Sequence, residues 1–245
     1  MGALPGTTGR RRIYLMRHGH VDYTSYEVRV LGDPRLVHLT DMGREQAAAA
    51  GEALAEVPFD IALSSGLNRT NQTAQIVLAA HPAPLALSHE PRLEEVHSGK
   101  FIPYATMEEL NAGLTFTWER AGEPGARFFE GGEPFTDAYD RAVSAIEDLL
   151  ATPGWANALV VAHEGINRLL LGWMCGAGPG AAIAFEQDLA NINVLDFDMV
   201  PAEAGTGTII QRRMIKAVNI TPYAWLKAGL HLTSFEAIFT RPNVA

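Results

Sequence analysis

The unbroken apolar run Ala158-Leu159-Val160-Val161-Ala162 constrains the fold of this chain more than any other stretch. Five consecutive apolar residues indicate a strand that is buried on both faces, as strands are in a parallel sheet. After it, one buried helix face is predicted at Ile166, Leu169, Leu170 and Trp173. A strand buried on both faces needs helices on both sides of its sheet, which predicts an α/β fold.

The rest of the chain repeats this alternation. Further strands are predicted at 13–16, 59–63, 85–88, 192–197 and 208–214, and further helices from Thr40, from near Asn68 and over about 135–150. We therefore expect a three-layer α/β fold, with a mostly parallel central sheet flanked by helices. No repeat or low-complexity linker divides the sequence. Residues 13–245 are predicted to form a single domain, and residues 1–12 a flexible basic tip.

The charge of the chain disfavours several classes of partner. Among 245 residues, 19 are basic and 28 acidic, for a net charge of −9, which argues against binding to nucleic acid or an anionic membrane. No apolar run approaches the roughly 20 residues of a membrane span.

The single cysteine, Cys175, lies in an apolar helical run, so we predict a buried core residue. We expect a soluble cytoplasmic protein and leave a homodimer open.

Three sets of polar residues each follow a predicted strand. They are Arg17-His18-Gly19, Ser64-Ser65 leading to Arg69, and His163-Glu164-Gly165. In sheets of this kind the ligand crevice lies outside the carboxyl ends of the strands, so the three sets should meet at one edge. An imidazole, guanidinium groups and an open glycine backbone suit a transferring phosphoryl group. The sequence thus predicts a phosphoryl site.

The same motifs, in the same order, resemble those of the histidine phosphatase superfamily, which includes phosphoglycerate mutases and many small-molecule phosphatases. Arg17-His18-Gly19 looks like its opening motif. The other matching segments are Leu39-Thr40 through Gln46-Ala47, Ser64-Ser65 through Gln72-Thr73-Ala74, Leu93-Glu94-Glu95 with Gly99, and Val160-Val161-Ala162-His163 through Arg168. The resemblance covers nearly the whole chain.

The resemblance implies a role for each motif residue. His18 would be the nucleophile that forms a phosphohistidine, and Arg17, Arg69 and His163 would hold the phosphoryl oxygens. Glu95, four residues before Gly99, would be the general acid and base; its neighbour Glu94 is the alternative. The resemblance implies a phosphomonoester hydrolase acting on a small phosphorylated metabolite. We expect neither metal nor cofactor, because the His163 segment lacks the second histidine of a zinc helix.

Two candidates depart from the family pattern. Glu164 follows the second histidine, where the family commonly has a small residue, and an asparagine often found after the first motif is replaced near Thr24. We place Glu164 and Thr24 near the phosphate pocket. A carboxylate there would repel anions unless it faces away or contacts a cationic substrate. His20, where the family commonly has glutamate, is interpreted as a solvated loop residue.

Residues 100–133 are irregular and aromatic, and we predict a partly helical insertion over the site; a plain surface excursion with a small satellite core is the alternative. A mutase would need extra basic residues above the pocket to hold a second phosphate. The insertion offers only Lys100, Arg120 and Arg127. A hydrolase is therefore favoured over a phosphoglycerate mutase-type phosphotransferase. A non-catalytic member that binds a phosphorylated ligand is the rival from another class.

Overall fold

The computed structural model describes residues 9–23, 30, 33–100, 106–202 and 207–233. Its strands are β1 (Gly9–Arg17), β2 (Ile61–Ser64), β3 (Leu87–His89), β4 (Asn157–Ala162), β5 (Ile192–Pro201) and β6 (Thr208–Ile220). They form one sheet in the order β3-β2-β4-β1-β5-β6. The first four strands of the chain are parallel, while β5 and β6 are each antiparallel to the strand before them in the sheet. The predicted α/β fold with a mostly parallel sheet is confirmed.

The helices cover both faces of this sheet. They are α1 (Asp41–Leu54), α2 (Asn68–Ala79), α3 (Met107–Thr117), α4 (Phe135–Ala151) and α5 (Glu164–Met174). The side chains of α1 and α2 pack on one face, and those of α4 and α5 pack on the other. In the described part of the chain no helix is long and apolar enough to cross a membrane.

Strand β4 lies inside the sheet and is buried along its whole length. Its residues alternate between the two cores: Ala158 and Val160 pack with α4 and α5, whereas Leu159 and Val161 pack with α1 and α2. This alternation is the reason why every position of the run has to be apolar. The strand buried on both faces is as predicted.

Strand β1 begins earlier than the sequence indicates. Residues 9–12 were expected to belong to a flexible tip, but they pair with β5 in the sheet. Arg10 donates from Nε to Asp198 at 2.8 Å, and Arg12 donates from Nε to Asp196 at 2.6 Å. The flexible-tip prediction is therefore wrong for these four residues, which pair with β5, and buried carboxylates far along the chain hold the guanidinium groups of Arg10 and Arg12.

The prediction that Cys175 is a core residue was also wrong, because its side chain is exposed. Helix α5 ends at Met174, and Cys175 is the capping residue beyond it. Gly176 then takes a left-handed backbone conformation, with φ of 74°, which turns the chain away from the helix axis. The apolar periodicity thus continues one residue past the helix that it describes.

The insertion contributes Trp118 to the main core and also forms a small buried cluster of its own, which consists of Leu110, Leu114 and Phe129. Trp118, only 1% exposed, stacks on Phe135 with ring centroids 4.7 Å apart and packs edge-on against Phe128 at 5.1 Å. A Cβ atom built on Gly165 would lie 3.2 Å from the Trp118 ring. The insertion therefore packs against the turn that follows His163. Residues 101–105 lie outside the described part.

Candidate active site

The three polar sets follow strands that are neighbours in the sheet. β4 pairs with β1 on one side and with β2 on the other. The backbone N–H of His18 donates to the carbonyl of Ala162, and that of Ser65 donates to the carbonyl of Val161, both at 3.2 Å. His18, Ser65 and His163 thus lie at the same carboxyl edge, as parallel pairing predicts.

His18 is buried, and the backbone defines its protonation. Its Nδ1 atom lies 2.7 Å from the carbonyl oxygen of Gly19. A carbonyl oxygen can only accept, so Nδ1 carries the proton and Nε2 keeps its lone pair. Burial lowers the pKa of His18 well below its usual value, and the charges of Arg69 and Arg17 lower it further. His18 is therefore a neutral imidazole with a nucleophilic nitrogen.

Close packing between the first motif and helix α1 explains two glycines. A Cβ atom on Gly19 would lie 2.4 Å from the carbonyl oxygen of Gly43, and one on Gly43 would lie 2.2 Å from that of His20. Neither distance is possible for a side chain without moving backbone. Helix α1 is fixed there by Thr40, whose Oγ1 accepts from the N–H of Gly43 at 3.2 Å.

His163 faces His18, with the ring centroids 5.2 Å apart and the planes at 65°. Its Nε2 lies 2.8 Å from Oγ of Ser65, which lies 2.9 Å from Oγ1 of Thr70. Thr70 donates to the carbonyl of Leu67, so Ser65 donates to Thr70 and accepts from Nε2 of His163. Nδ1 of His163 then has a lone pair, and this buried atom has no hydrogen-bond partner among residues that the structure describes. Burial, and next the charge of Arg69, lower the pKa of His163 well below its usual value.

Two buried arginines complete the pocket. Arg17 donates from Nη1 to the carbonyl of Gln187 at 2.6 Å, and Arg69 makes long contacts from Nη1 to the carbonyls of Pro34 and Arg35, at 3.4 and 3.5 Å. The Nε atoms of both arginines are buried and have no hydrogen-bond partner in the described part of the chain. A buried N–H donor without a hydrogen-bond partner costs folding free energy, and a ligand that accepts from it removes that cost. The pocket is therefore suited to an anion with several acceptor oxygens.

Glu95 lies beside the pocket and is partly buried. Its Oε2 accepts from the backbone N–H of Gly165 at 3.1 Å, and its Oε1 accepts from that of Val96 at 2.9 Å. Glu94 points elsewhere and pairs with Arg35 at 2.6 Å. The structure thus brings Glu95, and not Glu94, next to the turn that follows His163.

Glu164 contacts the pocket through Arg17. Its carboxylate is buried between two guanidinium groups, with Oε2 3.2 Å from Nη1 of Arg17 and Oε1 2.9 Å from Nη2 of Arg168. His20 is half-buried rather than fully solvated, and its Nδ1 lies 2.8 Å from Oγ1 of Thr40. Thr24 lies outside the described residues.

Sequence reasoning missed the residues that hold the first motif from the opposite side. The N–H of Arg17 donates to Oδ1 of Asn191 at 3.2 Å, and the N–H of Ala190 donates to the carbonyl of His18 at 3.1 Å. Asn193 donates to the carbonyl of Leu15 at 3.0 Å. The sequence does contain a signal: Asn191 and Asn193 lie at the start of an apolar strand. Buried amide side chains are normally hydrogen-bonded, so two of them there indicate partners nearby.

The donor set of the pocket favours an anion over a metal cation. Arginine side chains and neutral imidazoles line it, and the nearest carboxylates are paired or bound to backbone N–H groups. Across the described ranges, no group of three histidine, cysteine, aspartate or glutamate side chains is arranged to hold a metal ion.

This fold and this pocket together define a class: three-layer α/β proteins with a pair of histidines and two buried arginines at the carboxyl edge of the sheet. The sequence matches the profile of the histidine phosphatase superfamily, branch 1, over residues 13–201. The chain belongs to that superfamily.

Two curated relatives and one solved structure extend the comparison. The chain is 30% identical over 182 residues to the glucosyl-3-phosphoglycerate phosphatase of Mycolicibacterium vanbaalenii. The matched region covers 68% of this chain and 75% of that protein. It is 26% identical over 225 residues to the 2-carboxy-D-arabinitol-1-phosphatase of Triticum aestivum, with 92% of this chain and 44% of the relative covered. The chain thus spans less than half the length of the plant relative.

A solved structure described as mycobacterial hydrolase 1 superposes with a TM-score of 0.68 at 24% identity, covering 86% of this chain and 99% of that one. At this identity the likeness establishes the fold alone.

Proposed function

We propose that the protein is a metal-independent phosphomonoester hydrolase that acts on a small phosphorylated metabolite through a phosphohistidine on His18. One observation carries the proposal: a neutral His18 with a free Nε2 lone pair lies beside buried donors of Arg17 and Arg69 that have no hydrogen-bond partner within the described ranges. A phosphoryl group would accept hydrogen bonds from those donors while placing phosphorus against the nucleophile. The names of the two curated relatives, both phosphatases, support the same reaction class.

In the first step, Nε2 of His18 attacks phosphorus and the bond from phosphorus to the leaving-group oxygen breaks. Glu95, protonated at this stage, gives its proton to the leaving alkoxide. The guanidinium groups of Arg17 and Arg69 compensate the charge on the equatorial oxygens of the transferring group. The products of this step are phospho-His18 and an alcohol.

In the second step, a water molecule attacks phosphorus, the Nε2–phosphorus bond breaks, and Glu95 takes the proton of the water. His18 returns to its neutral form, with Nδ1 still donating to the Gly19 carbonyl. The same carboxyl group thus acts as an acid and then as a base. No metal is needed in this scheme, because a neutral imidazole attacks without prior deprotonation.

The insertion supports hydrolysis over a mutase. Arg120 is exposed and pairs with Glu123 at 2.9 Å, and Arg127 donates to the carbonyls of Gly125 and Gly132. Local partners thus engage both of these cations. With 3-phosphoglycerate or another monoester, we expect release of inorganic phosphate. Interconversion of phosphoglycerate isomers without phosphate release would instead assign a mutase.

The replacement His18→Ala tests the nucleophile. We expect the rate of aryl phosphate hydrolysis to fall by at least about 10³-fold, because the phosphoenzyme cannot form. The matched control is His89→Ala, at an exposed position at the end of β3, which should keep full activity. Brief exposure of the wild type to labelled substrate should give an acid-labile phosphohistidine that is absent from the variant. Near wild-type turnover by His18→Ala would reject the proposed function, and a wild type that binds phosphate without turnover would indicate a binding protein.

A further inference from the structure

Glu164 is the residue whose presence the proposed reaction leaves unexplained. Its carboxylate is almost fully buried at the first residue of α5. Burial raises the pKa of Glu164, and the charges of Arg17 and Arg168 oppose that shift. A buried negative charge beside a phosphate pocket weakens the attraction of the pocket for anions. Its retention there calls for a compensating role.

The carboxylate is one member of a buried chain of alternating charges. Arg17 contacts Oε2 of Glu164 at 3.2 Å, Arg168 contacts Oε1 at 2.9 Å, and Arg168 also contacts Glu186 at 3.0 Å. Arg168 is held further by the carbonyl of Ala182, at 3.3 Å. The chain runs from the pocket to a glutamate that is 38% exposed. Arg168, itself held by these contacts, therefore fixes the position of the Glu164 carboxylate.

The contacts of Arg17 show what Glu164 does for the pocket. The Nη1 atom of Arg17 has two acceptors: the carbonyl of Gln187 at 2.6 Å and Oε2 of Glu164 at 3.2 Å. The Nε atom of the same guanidinium is buried and has no hydrogen-bond partner among the residues that the structure describes. Because the guanidinium is planar, fixing its Nη1 end also fixes the direction of its Nε–H.

We propose that Glu164 is a positioning residue, which acts through Arg17 and holds its guanidinium in the orientation that the transferring phosphoryl group requires. Arg168 holds Glu164 in turn. This inference rests on the proposed function and deepens it. The same turn of α5 also presents the N–H of Gly165 to Glu95 at 3.1 Å, so one helix end orients both the proposed acid and the arginine. A small residue at position 164 would leave Arg17 with the Gln187 carbonyl alone.

The first test is Glu164→Gln, which keeps the size of the side chain and removes its charge. We expect kcat for an aryl phosphate to fall about 10- to 100-fold, because a misdirected guanidinium stabilises the transition state poorly. Binding of vanadate, which mimics the five-coordinate transition state, should weaken by a similar factor. The inhibition constant of inorganic phosphate should not rise, since the pocket loses a negative charge. The control Glu123→Gln, an exposed pair with Arg120, should match the wild type.

A double-mutant cycle separates positioning from a merely structural role. In an Arg17→Ala background, Glu164→Gln should change the vanadate Kd by less than twofold, because the residue through which it acts is gone. The same loss in both backgrounds would overturn the inference. A kcat within twofold of the wild type for folded Glu164→Gln would also overturn it.

If Glu164→Gln fails to fold, Arg168→Met tests whether Glu164 positions Arg17, because Arg168 is the other ion-pair partner of Glu164. We expect a loss of kcat of at least threefold with an unchanged inhibition constant for phosphate, and an unchanged kcat overturns the inference. The proposed function fails separately, through absence of hydrolysis by the wild type. In that case the vanadate cycle still reports on the coupling between Arg17 and Glu164.

Discussion

At the scale of single residues, the position of one proton on each histidine decides what the pair can do. The Gly19 carbonyl fixes the proton of His18 on Nδ1, which leaves Nε2 as nucleophile. The Ser65 and Thr70 hydroxyls fix the proton of His163 on Nε2, which leaves Nδ1 as an acceptor. A phosphoryl oxygen facing Nδ1 needs a shared proton, so we infer that binding involves a protonated phosphate oxygen or a proton taken up by His163.

The role of Glu95 is tested by Glu95→Gln with two kinds of substrate. Alkyl phosphates have poor leaving groups, so we expect their phosphorylation step to slow by about 10²- to 10⁴-fold when the acid is removed. Aryl phosphates with good leaving groups need less protonation and should lose much less in this step. Burst kinetics separate phosphorylation from hydrolysis of the phosphoenzyme.

The neighbouring replacement Glu94→Gln is the matched control, because Glu94 pairs with the exposed Arg35 instead of with the α5 turn. Its rates should stay within a fewfold of the wild type. Equal losses of Glu95→Gln on alkyl and aryl substrates would argue against Glu95 as the acid. A selective loss in Glu94→Gln would transfer the role to the neighbour.

At the scale of elements, the segment that carries Glu95 is held by helix α4. The guanidinium of Arg141 donates to the carbonyls of Arg92, Glu94 and Glu95, at 2.5, 2.8 and 3.3 Å. The same guanidinium is bound by both carboxylate oxygens of Glu133, at 2.6 and 2.8 Å. This segment, which has only the short 3₁₀ helix Pro91–Leu93 as regular structure, thus gains a fixed shape from one arginine.

The replacement Arg141→Met should therefore affect stability and catalysis together. We expect unfolding to require about 1–3 kcal/mol less free energy, because the carbonyls and Glu133 lose their partner. The rate on alkyl phosphates should fall more than the rate on aryl phosphates, as Glu95 loses its support. Arg120→Met, which removes an exposed arginine, is the control. Denaturant unfolding and the two rates are the measurements, and an equal loss on both substrates would contradict the link to Glu95.

At the scale of the whole molecule, the depressed pKa values make stability depend on pH. The folded pKa values of His18, His163 and His20 lie below their usual value, so the unfolded chain binds more protons below about pH 6.5. The stability that these neutral histidines contribute is present above that pH and is lost as the pH falls. The raised pKa of Glu164 acts in the opposite direction, since the folded state then retains a proton that the unfolded chain releases.

Each histidine can contribute up to about 1.4 kcal/mol per pH unit in this window. We expect the free energy of unfolding of the wild type to be lower at pH 5.5 than at pH 7.5, as measured by urea titration. A variant with His18→Asn and His163→Asn should show a clearly smaller difference in unfolding free energy between the two pH values, because it lacks two of the three histidines with lowered pKa. Parallel pH curves for the two proteins would contradict the assignment of neutral, buried histidines.

The sequence by itself determined the elements and the edge where the site lies. Helical and strand periodicities are local patterns, and they located β4, α1, α2, α4 and α5 to within a few residues. Parallel strands bring their carboxyl ends together whatever the details of packing. For that reason the sequence alone predicts that four side chains lie at one edge, those of Arg17, His18, Arg69 and His163.

Only the tertiary structure decided which partners these residues have. The structure pairs Glu164, which the sequence predicts near the pocket, with Arg17, and strand β1 starts at Gly9 because Asp196 and Asp198 reach its arginines. The protons of His18 and His163 follow from a carbonyl and two hydroxyls in the folded site. Such contacts join residues far apart in the sequence or depend on the direction of one side chain. A local pattern encodes neither, so these features arise only when the chain has packed.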